Sequence, residues 1–200
     1  SGVLCSVETL REIADGLDGV LLIDEAYADF VDPELGYSSI PLIRECDNVL
    51  VLRTLSKGYS LAGLRLGFLI GNVTLIEPIA IKTRDSYNID TITQSLALIA
   101  LNDSTHALKS CAKVRSERVR MRDELSKLGF VVPESQANFL LAEVPGPMNA
   151  STLHRSLRDA KILVRYFDSP PLDQYLRITV GTPGENDHFL QTVSQILQAS

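Results

Sequence analysis

Helical periodicity is clearest near the start of the chain. In residues 6–17, SVETLREIADGL, apolar side chains recur every three or four positions and fall on one face of a helix. Ser6 is suited to the N-cap, and Glu8 places a negative charge in the first turn, where the helix dipole favours it. The predicted apolar face comprises Leu10, Ile13, Ala14 and Leu17.

Three short apolar runs follow, and each is bordered by polar residues. They are GVLLIDEAY at 19–27, NVLVLRTL at 48–55 and LRLGFLIG at 64–71. Continuous apolar runs of this length are typical of strands that are buried on both faces of a parallel or mixed sheet. Ligands of open α/β sheets collect beyond the carboxyl ends of the strands, so the polar residues there are the first candidates for chemistry.

The rest of the chain predicts more helices and a second group of strands. We expect helices at 74–84, 90–102, 104–128, 150–161 and 185–198, and strands at 130–132, 138–144, 162–167 and 175–181. Gly129 is suited to the C-cap of the long helix at 104–128. The fold class is therefore α/β: residues 1–103 would hold part of a large α/β sheet, and residues 104–200 a helical bridge and a small α+β domain.

Composition and charge narrow the possible partners. The 200 residues are 45% hydrophobic and 22% charged with a net charge of -6, which is an ordinary globular composition without the basic surface that nucleic acids need. The basic segment 113–127 is interleaved with acids, so it is either the solvated face of a helix or a surface for a protein partner. No apolar run approaches the ~18 residues that would predict a membrane span. We therefore expect neither nucleic acid nor membrane as a partner.

The cysteine and histidine residues indicate a reduced protein without a metal site. Cys5, Cys46 and Cys111 are far apart and odd in number, which favours a cytoplasmic protein over a disulfide scaffold. The amino terminus does not resemble a secretion signal. The three histidines have no ligand spacing, so no metal is predicted; they are His106, His154 and His188.

The segment TLSKGYS places Lys57 directly after the second predicted strand. An amine in a half-buried loop is less readily protonated, and it then becomes a nucleophile toward aldehydes. The alternative is an ordinary surface lysine. The surrounding residues decide between the two.

Hydroxyl groups and an arginine surround this lysine in the sequence. Thr54, Ser56 and Arg65 would form a site for a phosphate dianion, while Gly58 and Gly63 would let the backbone come close. The alternative is turn chemistry and a surface ion pair. Because Arg65 lies between two leucines, it must face water or meet an anion.

The segment DEAYADF contributes an acid and a phenol. Asp24 ends the first predicted strand, and Tyr27 follows three residues later. Asp24 is either a strand-end cap or the partner of a cationic ring nitrogen, and Tyr27 would then bond a phenolate oxygen. Lysine, acid and anion site together suit pyridoxal 5'-phosphate, which needs a partner for its aldehyde, its ring nitrogen and its phosphate.

At this point the sequence resembles the fold-type I, class I and II aminotransferases, and within them the histidinol-phosphate branch. The similar segments span nearly the whole chain in order; they are LLIDEAYADF, VLRTLSKGYSLAGLRLGFLIG, SQANFLL, ILVRYF and LRITVGTPGEND. The lysine block with its arginine, and the acid with its tyrosine, are specific to the superfamily. The segments with LRITVGT and ANF are a weaker indication of the branch.

The resemblance implies a role for each candidate residue. Lys57 would bond the cofactor aldehyde and then move the proton between the substrate Cα and the cofactor. Asp24 would pair with the ring nitrogen and Tyr27 with the ring oxygen. Phosphate would be held by Thr54, Ser56 and Arg65.

The resemblance also implies a substrate site. Arg177 would receive the substrate's anionic group, which is a carboxylate in amino acids and the phosphate end in histidinol phosphate. Arg165 would assist it, and Asn138 would line the substrate side. Without the resemblance, the sequence favours Arg177 as an outward-facing strand residue paired with an acid over a substrate-binding residue.

The implied reaction is transfer of an amino group from histidinol phosphate to a 2-oxo acid such as 2-oxoglutarate. Three alternatives stay open: a decarboxylase of an amino-acid phosphate, an aromatic aminotransferase, and a non-catalytic regulatory domain. The initial Ser-Gly resembles the end of the family's Asn-Pro-x-x-Pro turn, so we expect the preceding half to be missing. We therefore expect weak cofactor binding by these residues alone. We also expect association through exposed strand edges, as in a homodimer.

Overall fold

The computed structural model describes residues 1–83 and 86–199, which form two compact units. The first unit is Cys5–Cys111, and the second contains Ser1–Leu4 together with the chain from Ala112 onwards. Each unit has its own three-stranded sheet. The α/β fold class is confirmed, whereas the domain division at residues 103 and 104 stays a prediction.

The first unit alternates helices and strands. Its elements are α1 (Val7–Gly16), β1 (Leu21–Asp24), α2 (Leu42–Glu45), β2 (Val49–Thr54), β3 (Gly67–Gly71), α3 (Val73–Lys82), α4 (Thr91–Asn102) and the beginning of α5 (Thr105–Lys127). Three short 3-10 helices lie in its loops, at Ala28–Phe30, Pro33–Leu35 and Ala62–Leu64.

The strand order β1-β2-β3 gives this sheet one parallel and one antiparallel pair. In the parallel pair Asp24 lies opposite Leu52, and in the antiparallel pair Thr54 lies opposite Gly67. Asp24 and Thr54 are therefore the last residues of two neighbouring parallel strands, at the same edge of the sheet. A core cluster packs α1 and α2 against β1 and β2; its buried members are Leu10, Ala14, Ile23, Leu42, Cys46, Val49 and Val51.

The second unit has an antiparallel sheet with the order β4-β6-β5. Its elements are β4 (Phe139–Glu143), α6 (Ala150–Asp159), β5 (Arg165–Tyr166), β6 (Tyr175–Thr179) and α7 (Pro183–Gln198). The end of α5 packs with this sheet and with α6 and α7 in one core, whose fully buried members include Leu125, Leu140, Leu153, Leu157, Leu176 and Val193.

Local capping chemistry explains where the helices begin and end. Ser6 caps α1 by accepting a hydrogen bond from the backbone N–H of Thr9 at 3.1 Å, as predicted. Gly129 follows α5 with a φ of +91°, and the amide of Phe130 donates to the carbonyl of Leu125 at 3.1 Å. This is the C-terminal motif for which glycine is preferred. All five predicted helices and α1 are present, although Arg84, at the end of the predicted helix 74–84, lies outside the described residues.

The predicted strands were too long. The run at 64–71 begins as a 3-10 turn and becomes a strand only at Gly67, because Arg65 has a left-handed backbone that no strand accommodates. The predicted strand at 130–132 is a single bridge between Val131 and Glu143. The run at 162–167 pairs only at Arg165 and Tyr166.

The prediction of strands buried on both faces is confirmed for the first half of β2, where Val49, Leu50 and Val51 are all buried, and is wrong for β1 and β3. Leu22 in β1 is 53% exposed and Phe68 in β3 is 39% exposed. On α1, Leu10 and Ala14 are buried, but Ile13 and Leu17 are 44% and 41% exposed. Periodicity identifies side chains that share a face, but it does not say whether anything packs against that face.

Within residues 1–83 and 86–199, no helix is long and apolar enough to cross a bilayer.

Candidate functional site

Asp24 and Tyr27 occupy the turn that follows β1. Asp24 is exposed, and its Oδ1 accepts a hydrogen bond from the backbone N–H of Ala26 at 3.0 Å. This local bond orients the carboxylate beyond the carboxyl end of the strand. Tyr27 is half-buried and directly precedes the 3-10 helix at Ala28–Phe30.

The end of β2 presents two hydroxyl groups. The hydroxyl of Thr54 lies 2.8 Å from Ser56 Oγ and 3.0 Å from the carbonyl oxygen of Leu66. It also accepts a hydrogen bond from the backbone N–H of Ser56 at 3.1 Å. These bonds fold the segment from Thr54 to Ser56 tightly and place both hydroxyls side by side.

Lys57 follows this turn, and its side chain is exposed. The loop is partly buried as expected, since Leu55 and Gly58 are buried, but the side chain of Lys57 itself is not, because the chain leaves the sheet at Thr54. Lys57 Nζ lies 5.7 Å from the centroid of the Tyr27 ring, which is within the range of a cation–π contact. The structure thus brings the predicted amine and the predicted phenol together.

Arg65 is exposed and has a left-handed backbone with a φ of +52°. Its Nη1 donates a hydrogen bond to the carbonyl of Ala62 at 3.1 Å, which leaves other N–H groups of the guanidinium available to an anion. Left-handed backbone is costly for a residue with a Cβ, and such strain is concentrated at functional sites.

Only one of the two glycines near the lysine is sterically required. A Cβ on Gly58 would lie 2.5 Å from the Cβ of Asp29, so only glycine fits there. A Cβ on Gly63 would have nothing within 4 Å. The close approach predicted for both glycines therefore holds at Gly58 and not at Gly63.

Sequence reasoning missed an ion pair between Arg53 and Glu25, which are adjacent in sequence to Thr54 and Asp24. Arg53 Nε lies 2.6 Å from Glu25 Oε2, and the side chain of Glu25 is only 3% exposed. The hydroxyl of Ser39, fully buried, donates to Glu25 Oε1 at 2.5 Å. Burial and the charge of Glu25 raise the pKa of the neighbouring Tyr37 well above its usual value. Two charged residues in apolar strands were the available sequence signal, because such residues are rarely buried without a partner.

Asp29 is a second carboxylate near Arg53. Its Oδ1 lies 3.9 Å from Arg53 Nη1. Burial raises the pKa of the Asp29 carboxyl, and the charge of Arg53 partly opposes this effect. Burial, together with the charge of Asp29, also raises the pKa of the Tyr59 hydroxyl.

In the second unit, the structure brings the two predicted substrate arginines together. Arg165 and Arg177 are directly opposite each other in the antiparallel pair of β5 and β6. Like charges in this position repel unless an anion lies between them. Arg177 is also 5.1 Å from the centroid of the Phe139 ring, and Arg165 is 5.4 Å from that of Phe167. These aromatic faces support the guanidinium groups and leave their N–H edges for a carboxylate or phosphate.

Asn138 directly precedes β4 and is half-buried. Its carbonyl oxygen accepts a hydrogen bond from the backbone N–H of Val180 at 2.9 Å, which joins it to the end of β6. Asn138 therefore lies beside the end of β6, in the same sheet as the two arginines. In the part of the chain that is described, no three metal-ligating side chains form a cluster.

The donor set of the first unit fits pyridoxal phosphate. Lys57 supplies an amine within reach of Tyr27, and Asp24 supplies an exposed carboxylate at the neighbouring strand end. Two adjacent hydroxyls and an exposed guanidinium supply donors for a phosphate. The hydrogen bonds of Thr54 hold the two hydroxyls side by side.

Comparisons with known proteins agree with this chemistry. The sequence model of the family described as aminotransferase class I and II matches residues 1–193. Histidinol-phosphate aminotransferase 1 of Nostoc sp. is 46% identical over 199 residues, which cover 100% of this chain and 55% of that protein. The histidinol-phosphate aminotransferase of Synechocystis sp. is 45% identical over 189 residues, covering 94% and 52%.

A solved structure shares the fold. The histidinol-phosphate aminotransferase of Clostridium acetobutylicum matches with a TM-score of 0.90 at 24% identity, over 100% of this chain and 61% of that one. The chain spans about half the length of the curated relatives that it matches.

Proposed function

The chain belongs to the class I and II aminotransferases, and from this premise we propose that it acts with pyridoxal phosphate to transfer an amino group from histidinol phosphate to 2-oxoglutarate. The products would be imidazole-acetol phosphate and glutamate, in histidine biosynthesis. One observation carries the proposal: Lys57 extends beyond the strand ends beside Tyr27, next to a ready set of anion donors.

We assign the cofactor-holding residues as follows. Asp24 would pair with the ring nitrogen and Tyr27 with the ring oxygen, while the phosphate would be held by Thr54, Ser56 and Arg65. The bound cofactor supplies an electron-accepting ring that stabilises negative charge at the substrate Cα. Asp24 supports this by keeping the ring nitrogen protonated, since a nearby carboxylate favours the charged form.

Lys57 has two tasks in this proposal. Its Nζ would hold the cofactor at the aldehyde carbon, and once the substrate amino group has taken its place there, the freed Nζ would accept the proton from the substrate Cα. Exposure of the side chain supports both tasks, because the amine must reach groups that lie outside the sheet.

Arg165 and Arg177 would bind the anionic end of the substrate. A phosphate dianion placed between two facing guanidinium groups removes their repulsion and gains several charge-assisted hydrogen bonds. Asn138, at the start of β4, would line the same side. This assignment favours a phosphorylated amino donor over an uncharged one.

We further propose a cytoplasmic homodimer. The odd number and wide spacing of the three cysteines support a reducing compartment. Exposed apolar side chains on the first unit, such as Leu22 and Leu98, support association with a second copy.

Amino transfer from histidinol phosphate to 2-oxoglutarate tests the function, using the polypeptide as its gene encodes it. We expect Arg177→Met to lower kcat/KM for histidinol phosphate by about 30-fold or more, because charge-assisted hydrogen bonds to the phosphate are lost. The control is Arg158→Met, which removes an exposed arginine from α6 in the same unit and leaves kcat/KM unchanged.

A different reaction of the same polypeptide would contradict the proposal and identify another function. Release of carbon dioxide from a phosphorylated amino acid, without amino transfer, would identify a decarboxylase. Faster transfer from phenylalanine than from histidinol phosphate would identify an aromatic aminotransferase. Cofactor binding without either reaction would indicate a regulatory domain.

A further inference from the structure

Arg53 is held between two carboxylates at the base of the lysine site. Its Nε meets Glu25 Oε2 at 2.6 Å, and its Nη1 lies 3.9 Å from Asp29 Oδ1. The side chains of Arg53 and Asp29 are about one quarter exposed, at 26% and 27%, whereas that of Glu25 is 3% exposed. The function proposed above uses none of these three residues.

The position of this ion pair in the chain is informative. Glu25 directly follows Asp24, and Arg53 directly precedes Thr54. The backbone N–H of Glu25 donates to the carbonyl of Leu52 at 2.9 Å, so the two strands remain paired up to this point. The ion pair therefore joins the ends of β1 and β2 one residue away from two proposed cofactor contacts.

Asp29 extends the connection to the lysine. Its side chain lies against the backbone of Gly58, where an added Cβ would lie 2.5 Å from the Cβ of Asp29. Gly58 directly follows Lys57. Arg53, through Asp29, is thus linked by contact to the loop that presents the amine.

Fold stability alone is a poor explanation for this arrangement. Removing two charges from water is costly, and replacing a buried ion pair by apolar residues is often neutral or stabilising. Ion pairs do, however, fix the relative position of the groups they join. Glu25 is further restrained by the hydroxyl of Ser39 at 2.5 Å.

We propose that Glu25, Arg53 and Asp29 form a positioning cluster that fixes the turn carrying Asp24 and Tyr27 relative to the loop carrying Lys57. The inference rests on the proposed function, because it concerns the geometry of the same cofactor site. Arg53 touches neither cofactor nor substrate in this account. It acts through Glu25 and Asp29.

A pair of variants separates positioning from stability. Arg53→Met leaves Glu25 buried without its cation, so the melting temperature falls. Glu25→Gln combined with Arg53→Met removes both charges, keeps an acceptor for Ser39, and restores most of the melting temperature. If the cluster positions the site, this double variant still binds pyridoxal phosphate at least about tenfold more weakly than the unaltered protein, because small misplacements are costly.

Circular dichroism in the absorption band of the bound cofactor gives a second readout. This signal depends on how the cofactor is oriented by its surroundings, and we expect it to be weakened in the double variant at saturating pyridoxal phosphate. The matched control is Arg11→Met with Glu45→Gln, an exposed ion pair of 2.5 Å in the same unit. It should change neither the affinity nor the dichroism.

Recovery of melting temperature, affinity and dichroism together in the double variant would overturn the proposal, since the cluster would then be only structural. If the double variant fails to fold, the Arg53→Lys variant tests the proposal in its place. Lysine keeps the charge, but a single ammonium does not span both carboxylates as the guanidinium does. Weakened dichroism in a folded Arg53→Lys protein supports the cluster, and unchanged dichroism and affinity contradict it. Failure of the proposed cofactor site is distinct, because the unaltered protein would then show no absorption band of bound pyridoxal phosphate that depends on Lys57.

Discussion

At the scale of single residues, backbone strain and side-chain chemistry coincide in the loop before β3. Arg65 and Ser60 both have left-handed backbones, with φ of +52° and +58°. Only Arg65 is assigned a role in binding. Left-handed backbone does not itself call for an arginine, so we explain Arg65 by its guanidinium.

We predict that Arg65→Gly separates binding from stability. Glycine accepts the left-handed backbone, so the free energy of unfolding should be unchanged or higher by up to about 1 kcal/mol. The affinity for pyridoxal phosphate should fall by about tenfold or more, because hydrogen bonds to the phosphate are lost. Denaturant titration and absorbance titration measure the two effects.

Ser60→Gly is the matched control for this prediction. This variant relieves the same kind of backbone strain five residues earlier in the chain. It should leave the affinity for pyridoxal phosphate unchanged. Equal affinities for the Arg65→Gly variant and the unaltered protein would remove Arg65 from the phosphate site.

Some residues of the candidate site could be predicted from the sequence, and others could not. Lysine, hydroxyls and arginine in one short segment could be recognised because their chemistry suits one ligand. Arg165 and Arg177 lie opposite each other because of the register between β5 and β6, and the sequence alone did not specify that register. Glu25 and Arg53 were missed because one follows β1 and the other lies in β2, so their ion pair forms only where these two segments lie side by side.

At the scale of secondary-structure elements, helices were predicted more accurately than strands. Caps such as Ser6 and Gly129 mark helix ends by local hydrogen bonding, which a sequence displays directly. Strand ends depend on where a neighbouring strand stops, so the runs at 130–132 and 162–167 were overestimated. Helix α2 and the 3-10 helices were not predicted, since they are too short for a periodic pattern.

Helices α5 and α7 are joined by a polar contact with a pH dependence that can be predicted. The carboxylate of Glu117 accepts hydrogen bonds from Arg120 and from Asn186, both at 2.7 Å. Chiefly through the hydrogen bond from Arg120, these contacts lower the pKa of Glu117 below its usual value. A carboxyl group with a lowered folded-state pKa stabilises the fold above its unfolded-state pKa, and this contribution is lost as the pH falls through the folded-state pKa.

Glu117→Gln should therefore lower the free energy of unfolding at pH 7 by about 1 kcal/mol. The difference from the unaltered protein should begin to shrink below the usual pKa of a glutamate, where the unfolded chain takes up the proton, and should be lost as the pH falls through the lowered folded-state pKa of Glu117. Urea titrations followed by circular dichroism at both pH values test this. The control is Glu124→Gln on the same helix, whose exposed partner is Lys127, and an equal loss in that variant would refute a special role for Glu117.

At the scale of the whole molecule, each unit has its own core, but the first also exposes many apolar side chains. Leu22 on β1 is 53% exposed, and on α4 Ile92, Leu98 and Ile99 are 73%, 62% and 64% exposed. Patches of this kind mark interaction surfaces in globular proteins. The chain also spans only about half the length of its curated relatives.

We predict that the polypeptide associates in solution. Light scattering over a range of concentrations should give a mass that rises toward that of two copies. Leu98→Glu should shift this rise to higher concentration, because it places a charge in the apolar surface of α4. Leu163→Glu, at an 82% exposed leucine of the second unit, is the control. A constant mass of one copy at all concentrations would rule out the homodimer.

The central claim is that Lys57 bonds the aldehyde of pyridoxal phosphate, and its most direct test is an absorption spectrum. The polypeptide as its gene encodes it is mixed with pyridoxal phosphate and compared with its Lys57→Ala variant and with the Lys82→Ala control. We predict a band near the visible edge that is present in the unaltered protein and in Lys82→Ala and is absent from Lys57→Ala. The same band in all three proteins, or in none of them, would contradict the account.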